Sequence, residues 1–172
     1  MALFFTEPLQ LDLLLHRAAA ALGEDLGPDM QIAQPVEAET WQYDAVTNEA
    51  RRTGAPGRRW QCLAGVEGPA VVVDIVEEAG DYTVVSVNRG TLAGDLNDAV
   101  AFAEAQLGDD AGGYLVRSMQ VPALHFASLH LSGPSELLIP MSPPPAGGTD
   151  LTIAPISDLP RLLAPLAQRL GL

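Results

Sequence analysis

The chain has 172 residues with 48% hydrophobic and 18% charged content, the composition of one folded domain and not of a disordered chain. Its formal net charge is −13, which argues against nucleic acid and against an anionic membrane surface as partners, because both are bound by neutralising phosphate. The single cysteine excludes an internal disulfide and fits a reducing compartment.

The opening stretch "MALFFTEPLQ" has no basic residue, and Glu7 and Pro8 interrupt its apolar run, so it is not read as a signal peptide. No run approaches the roughly 18 apolar residues needed to span a bilayer. The chain is therefore expected to be cytoplasmic. All nine basic residues are arginine, and with the abundance of Ala, Gly and Pro this points to the GC-biased codon usage of a bacterial genome.

"TEPLQLDLLLHRAAAALG" predicts the first helix, with Thr6 as N-cap, Gly23 beyond its end, and Leu11, Leu14, Leu15, Ala18 and Leu22 as its apolar stripe. Residues 24–58 read as an insertion or loop region without a clear period, in which "MQIAQPVEAETWQYDAV" fits a strand with Trp41 and Tyr43 on one face and "YDAVTNEARR" equally fits a short helix. They contain "ARRTGAPGRR", in which Arg51, Arg52, Arg58 and Arg59 stand without an acid. Five basic against 22 acidic residues remain elsewhere, a balance of −17, so the charge is segregated.

"RWQCLAGV", "AVVVDIVEE" and "YTVVSVN" are runs rich in β-branched residues, separated at hairpin spacing. They predict an antiparallel meander with one buried side, formed by Trp60, Cys62, Ala64 and Val66, then Val71, Val73 and Ile75, then Thr83, Val85 and Val87. Cys62 falls on that side and reads as a core residue. "GDLNDAVAFAEAQLGDD" predicts a helix with Asp95 as N-cap and Asp98 in its first turn. Asp109 and Asp110 read as a solvated turn.

"GYLVRSMQV", "ALHFASLHL" and "SELLIP" predict further strands. His125 and His130 lie five residues apart, so on one strand they point to opposite faces and cannot share a metal ion. "MSPPPAGGTD", residues 141–150, reads as a linker. The closing "SDLPRLLAPLAQRLGL" predicts a helix capped by Ser157, with Leu159, Leu162, Leu163, Leu166 and Leu170 as its stripe and Pro165 as a break. The expected fold class is α+β, a single domain over 1–172 with an antiparallel sheet flanked by N-terminal, central and C-terminal helices.

No internal repeat, dinucleotide fingerprint, P-loop, nucleophile elbow or zincin motif is present. No catalytic, cofactor or metal site is read from the sequence. The order helix, three strands, helix, two or three strands, helix resembles the type III secretion chaperone-like fold over most of residues 6–172, in topology and acidity. That resemblance implies a small cytoplasmic homodimer that acts by binding other proteins.

The sequence thus points to a non-enzymatic, acidic protein-binding module, chaperone-like or adaptor. The contact residues it nominates are Arg51, Arg52, Arg58 and Arg59 together with Leu162, Leu163 and Leu166. One alternative is a small-molecule-binding protein or enzyme, with a pocket near His125 and Arg117 and with His130 and Cys62 as further candidates. Another is an immunity or inhibitor protein whose negative charge neutralises a basic partner.

Overall fold

The computed structural model describes residues 3–23, 29–33, 35–54, 57–65, 70–108, 112–142 and 150–172. Among these described residues, eleven strands form one mixed sheet, with three α-helices packed on it. The backbone of the sheet is the order β11 (Ala154–Pro155), β10 (Glu136–Ser142), β9 (Phe126–Ser132), β8 (Tyr114–Val121), β3 (Val36–Asp44), β5 (Arg58–Gly65), β6 (Val71–Glu78) and β7 (Asp81–Asn88). Three short strands pair off this path: β1 (Leu3–Phe5) on β8, β2 (Gln31–Ile32) on β5 and β4 (Glu49–Arg52) on β3.

This corrects the expected antiparallel sheet. Both β1 and β3 pair with β8 in parallel, β3 through Ala38, Glu39 and Thr40 against Ser118, Met119 and Gln120. The strand that joins the two halves comes from the 24–58 region, which lacks a readable period because β3 turns Glu37 and Glu39 inward. The cationic stretch is also strand rather than loop: Arg51 and Arg52 lie on β4, and Arg58 and Arg59 on β5.

The meander β5–β6–β7 is antiparallel, as its spacing predicts. Its strands β5 and β6 are buried on both sides, however. One face packs Trp60, Cys62, Ala64, Val71, Val73 and Ile75 under helix α1 (Leu11–Leu22). The other packs Leu63 and Val72 under helix α2 (Leu92–Leu107), together with Val116, Leu129 and Ile139 from the far half of the sheet. A β-bulge between the Asp74–Ser86 and Ile75–Val84 pairs shifts the register of β7. Tyr82 and Val84 therefore face α1, while Val85 and Val87 are 52% and 37% exposed.

Helix α1 begins after Gln10, because the Thr6 hydroxyl donates to Glu37 Oε2 at 2.9 Å instead of capping. Helix α2 begins after Thr91, three residues before the predicted cap, so Gly94 and Asp95 lie inside its first turns. Helix α3 (Leu159–Leu170) follows a short 3-10 turn at Ile156–Asp158 and runs through Pro165. It lies on the same sheet face as α1 but at the other end, burying Leu163 and Leu166 against Met119 and Leu138. No helix among the described residues is long and apolar enough to cross a membrane. Pro56, Val66, the Asp109–Asp110 turn and most of the 141–150 linker lie outside the described residues; Met141 and Ser142 end β10.

Candidate functional site: a row of alternating charges

Between α1 and α3 the shared sheet face is covered by neither helix, and a row of charges fills it. Glu37 and Glu39 are two apart on β3 and so point to the same face. Arg58 comes from β5, Arg117 from β8, His130 from β9 and Glu136 from β10, with Arg117 and His130 opposite each other in the ladder. Side by side they alternate in sign. Arg58 Nε lies 3.1 Å from Glu37 Oε1, and Arg117 Nε donates to Glu37 Oε2 at 3.0 Å while lying 3.4 Å from Glu39 Oε1. His130 Nδ1 is 3.1 Å from Glu39 Oε2, and His130 Nε2 is 2.6 Å from Glu136 Oε2.

The middle of the row is buried and its ends are open. The side chains of Glu39 and His130 are 1% and 7% exposed, against 43% for Arg58 and 48% for Glu136. Carboxylates this deep persist only when charge and hydrogen bonds replace the lost water. Glu39 receives Trp41 Nε1–H at 3.2 Å and has Arg52 Nη1 at 3.3 Å. Glu37 receives the Thr6 hydroxyl and the Arg58 and Arg117 guanidinium groups.

Burial pushes both carboxyls up, yet these donors outweigh it and hold each below the usual carboxylate value. Burial likewise disfavours the charged imidazole, but hydrogen bonds to Glu39 and Glu136 overcome this and raise the pKa of His130 above its ordinary 6.5. An imidazole whose two nitrogens both face carboxylates satisfies both contacts only as the doubly protonated imidazolium. Both nitrogens are thereby taken, and no group of three or more His, Cys, Asp or Glu among the described residues is arranged to hold a metal ion.

Where β3 parts from β5 a notch of about 270 Å³ opens beside this row. Its lining includes Glu37, Glu39, Thr40, Arg52, Arg58 and Arg59. Gly57 at its edge requires glycine, because its φ is +86° and a Cβ would sit 2.4 Å from the Glu77 carbonyl oxygen. Arg58 lies over the Trp60 ring, 5.2 Å from its centre.

The structure therefore gathers three of the four nominated arginines. Arg52 and Arg58 meet Glu39 and Glu37, and Arg59 donates to Thr40 Oγ1 at 2.8 Å with Asp74 at 3.6 Å on the α2 side. Arg51 points away and pairs with Glu49 at 2.9 Å, both exposed. Leu163 and Leu166 are buried on the inner face of α3 and Leu162 is half-buried, so these leucines are not gathered with the arginines. Cys62 is buried under α1, and burial, with the nearby Asp74 charge, pushes its thiol up to about 12.

Arg117 and His125 do not share a pocket. His125 caps a 3-10 turn at Pro122–Leu124 with φ +50°, just before β9 begins, and lines a separate cavity of about 470 Å³ with Asp74, Asn88, Thr91, Asp95 and Gln120. The residue that meets Arg117 is His130. A hairpin closed around Pro122–His125 would have paired them, since the ladder runs Val121 to Phe126 and on to Arg117 and His130. Glu37, Glu39 and Glu136 left no such signal. Compared with protein-family models, with curated proteins and with solved structures, the chain matches none.

Proposed function

We propose that this chain is a protein-binding module, chaperone-like or adaptor in kind, that seats an acidic segment of its partner in the notch between β3 and β5. One observation carries the reading: Arg52 and Arg58 reach the notch with side chains 55% and 43% exposed, each holding an internal carboxylate. A guanidinium has five N–H donors in a planar fork, so each retains donors for a second, incoming carboxylate. Local positive charge on a body of −13 also confines an acidic ligand to this spot and repels it elsewhere.

The reading includes self-association, with the open edge at β7 and its exposed Val85 and Val87 as the surface for a second copy. Light scattering should then give twice the 18.1 kDa chain mass. A second reading, a small-molecule site, is supported by the 470 Å³ cavity at His125.

The test is direct. A partner captured from the host is measured against the wild type and against R52Q/R58Q, with Arg51→Gln as control. The double variant should lose about tenfold or more in affinity, and wild-type binding should weaken as salt rises. A folded double variant that binds as tightly as the wild type removes the notch as the docking site.

A further inference from the structure

We infer that occupancy of the notch is coupled to the protonation of His130 through Glu39, so that an acidic segment binds the imidazolium form more tightly. The inference rests on the notch reading above and adds its regulation. Glu39 is held from two sides. Its Oε1 faces Arg52 at 3.3 Å and Arg117 at 3.4 Å, while its Oε2 faces His130 at 3.1 Å and Trp41 at 3.2 Å. A buried carboxylate of this kind depends wholly on those four groups for compensation. Whatever one of them withdraws, the others must supply.

The charged groups around His130 are few. Glu39 faces it from β3 and Glu136 from β10, the latter also accepting from Ser132 Oγ at 3.0 Å. Arg117 stands opposite on β8, and Arg52 on β4 lies beyond Glu39. The Trp41 ring meets the imidazole edge-on at 6.2 Å. On the α3 side, Arg161 and Asp158 are bonded to each other at 2.6 Å.

With the imidazolium present, three guanidinium groups and one imidazolium oppose Glu37, Glu39 and Glu136, a surplus of one positive charge. Loss of the proton removes the surplus. Glu39 then keeps the Trp41 N–H but has Arg52 and Arg117 as its only facing cations, and the Arg52 fork that faces the notch is drawn to its own chain. Linkage makes the coupling reciprocal: a bound acidic segment holds the proton on His130 more tightly.

The experiment uses the full chain and a hexaglutamate peptide at low salt, with calorimetric titrations between about pH 6 and about pH 8, where histidine alone among ordinary side chains changes charge. The wild type should lose about fivefold or more in affinity over that range, and H130Q should bind with affinity independent of pH. In parallel, the NMR titration midpoint of the His130 ring should rise when peptide is added, a readout that needs no variant. A pH-independent wild-type affinity, an unmoved His130 midpoint, or an equal pH slope in H130Q (which would assign the effect to His16 or His125) each overturn the coupling while leaving the notch reading intact. No peptide binding at any pH overturns both.

Discussion

Two neighbouring stretches of one sheet face are held by opposite means. Under α1, Trp60, Cys62, Val73 and Ile75 are sealed by Leu14, Ala18 and Leu22, and the stretch is stabilised by removing apolar area from water. One strand further on, Glu37, Glu39 and His130 are nearly as deep, with Arg117 half-buried between the two carboxylates, and each is tolerated only because its neighbour carries the opposite charge. The first stretch loses stability in proportion to the atoms removed from it. The second fails all at once when one partner goes, because the charge left behind is stranded.

The largest expected effect tests the apolar stretch. Trp60→Ala removes a fully buried side chain and the donor that holds Glu77 Oε2 at 2.8 Å, and should cost about 3–5 kcal/mol in urea unfolding. Glu39→Ala comes next, at about 3 kcal/mol, since it removes the acceptor of buried His130 Nδ1 and leaves Arg117 with Glu37 and His130 with Glu136 as their remaining carboxylates. The comparison sharpens if Glu39, Arg117 and His130 are all replaced by Leu or Met. That triple variant should regain most of the loss, whereas a second apolar truncation beside Trp60 should only add to it.

The pH dependence of stability divides the two stretches without any substitution. The folded pKa of His130 is raised above 6.5, so its contribution is complete below 6.5 and is lost as pH rises through the folded value. Glu37 and Glu39 are lowered below 4.5, so theirs is present above 4.5 and is lost as pH falls through their folded values. Between about pH 6.5 and about pH 8, below the range in which the Cys62 thiol titrates, urea midpoints should therefore decline in the wild type and stay level in H130Q. Equal alkaline decline in both would show that the imidazolium stabilises nothing. The smallest effect is Arg51→Ala, which breaks only the exposed pair with Glu49 and should change stability by less than about 0.5 kcal/mol.

Legibility in the sequence follows the same division. Strands β6 and β7 stand out as runs rich in Val, β5 as the alternation of Trp60, Cys62 and Ala64, and α1 and α3 as leucine stripes, because an element that buries apolar side chains must carry them at its own period. Strand β3, at the centre of the sheet, reads "VEAETWQYD". Its inward positions Glu37 and Glu39 are acids, so the pattern that identifies a buried strand is absent at the one strand that joins the two halves. Of the site itself, the arginine-rich segment was visible as a composition, and Arg117 and the histidines as isolated candidates. The choice of His125 over His130 turned on where the hairpin closes, which Pro122 brackets only to within a few residues.

The sequence by itself determined the helices, most of the strands and the acidic surface, since each follows from local period and composition. Tertiary structure alone decided that β3 lies parallel to β8, that both faces of β5 and β6 are covered, and that Arg52, Arg58 and Arg117 converge on Glu37 and Glu39. The reason is range. A period is written within about ten residues, whereas the partner that makes a buried charge affordable stands 80 residues away for Glu37 and Arg117 and 91 for Glu39 and His130.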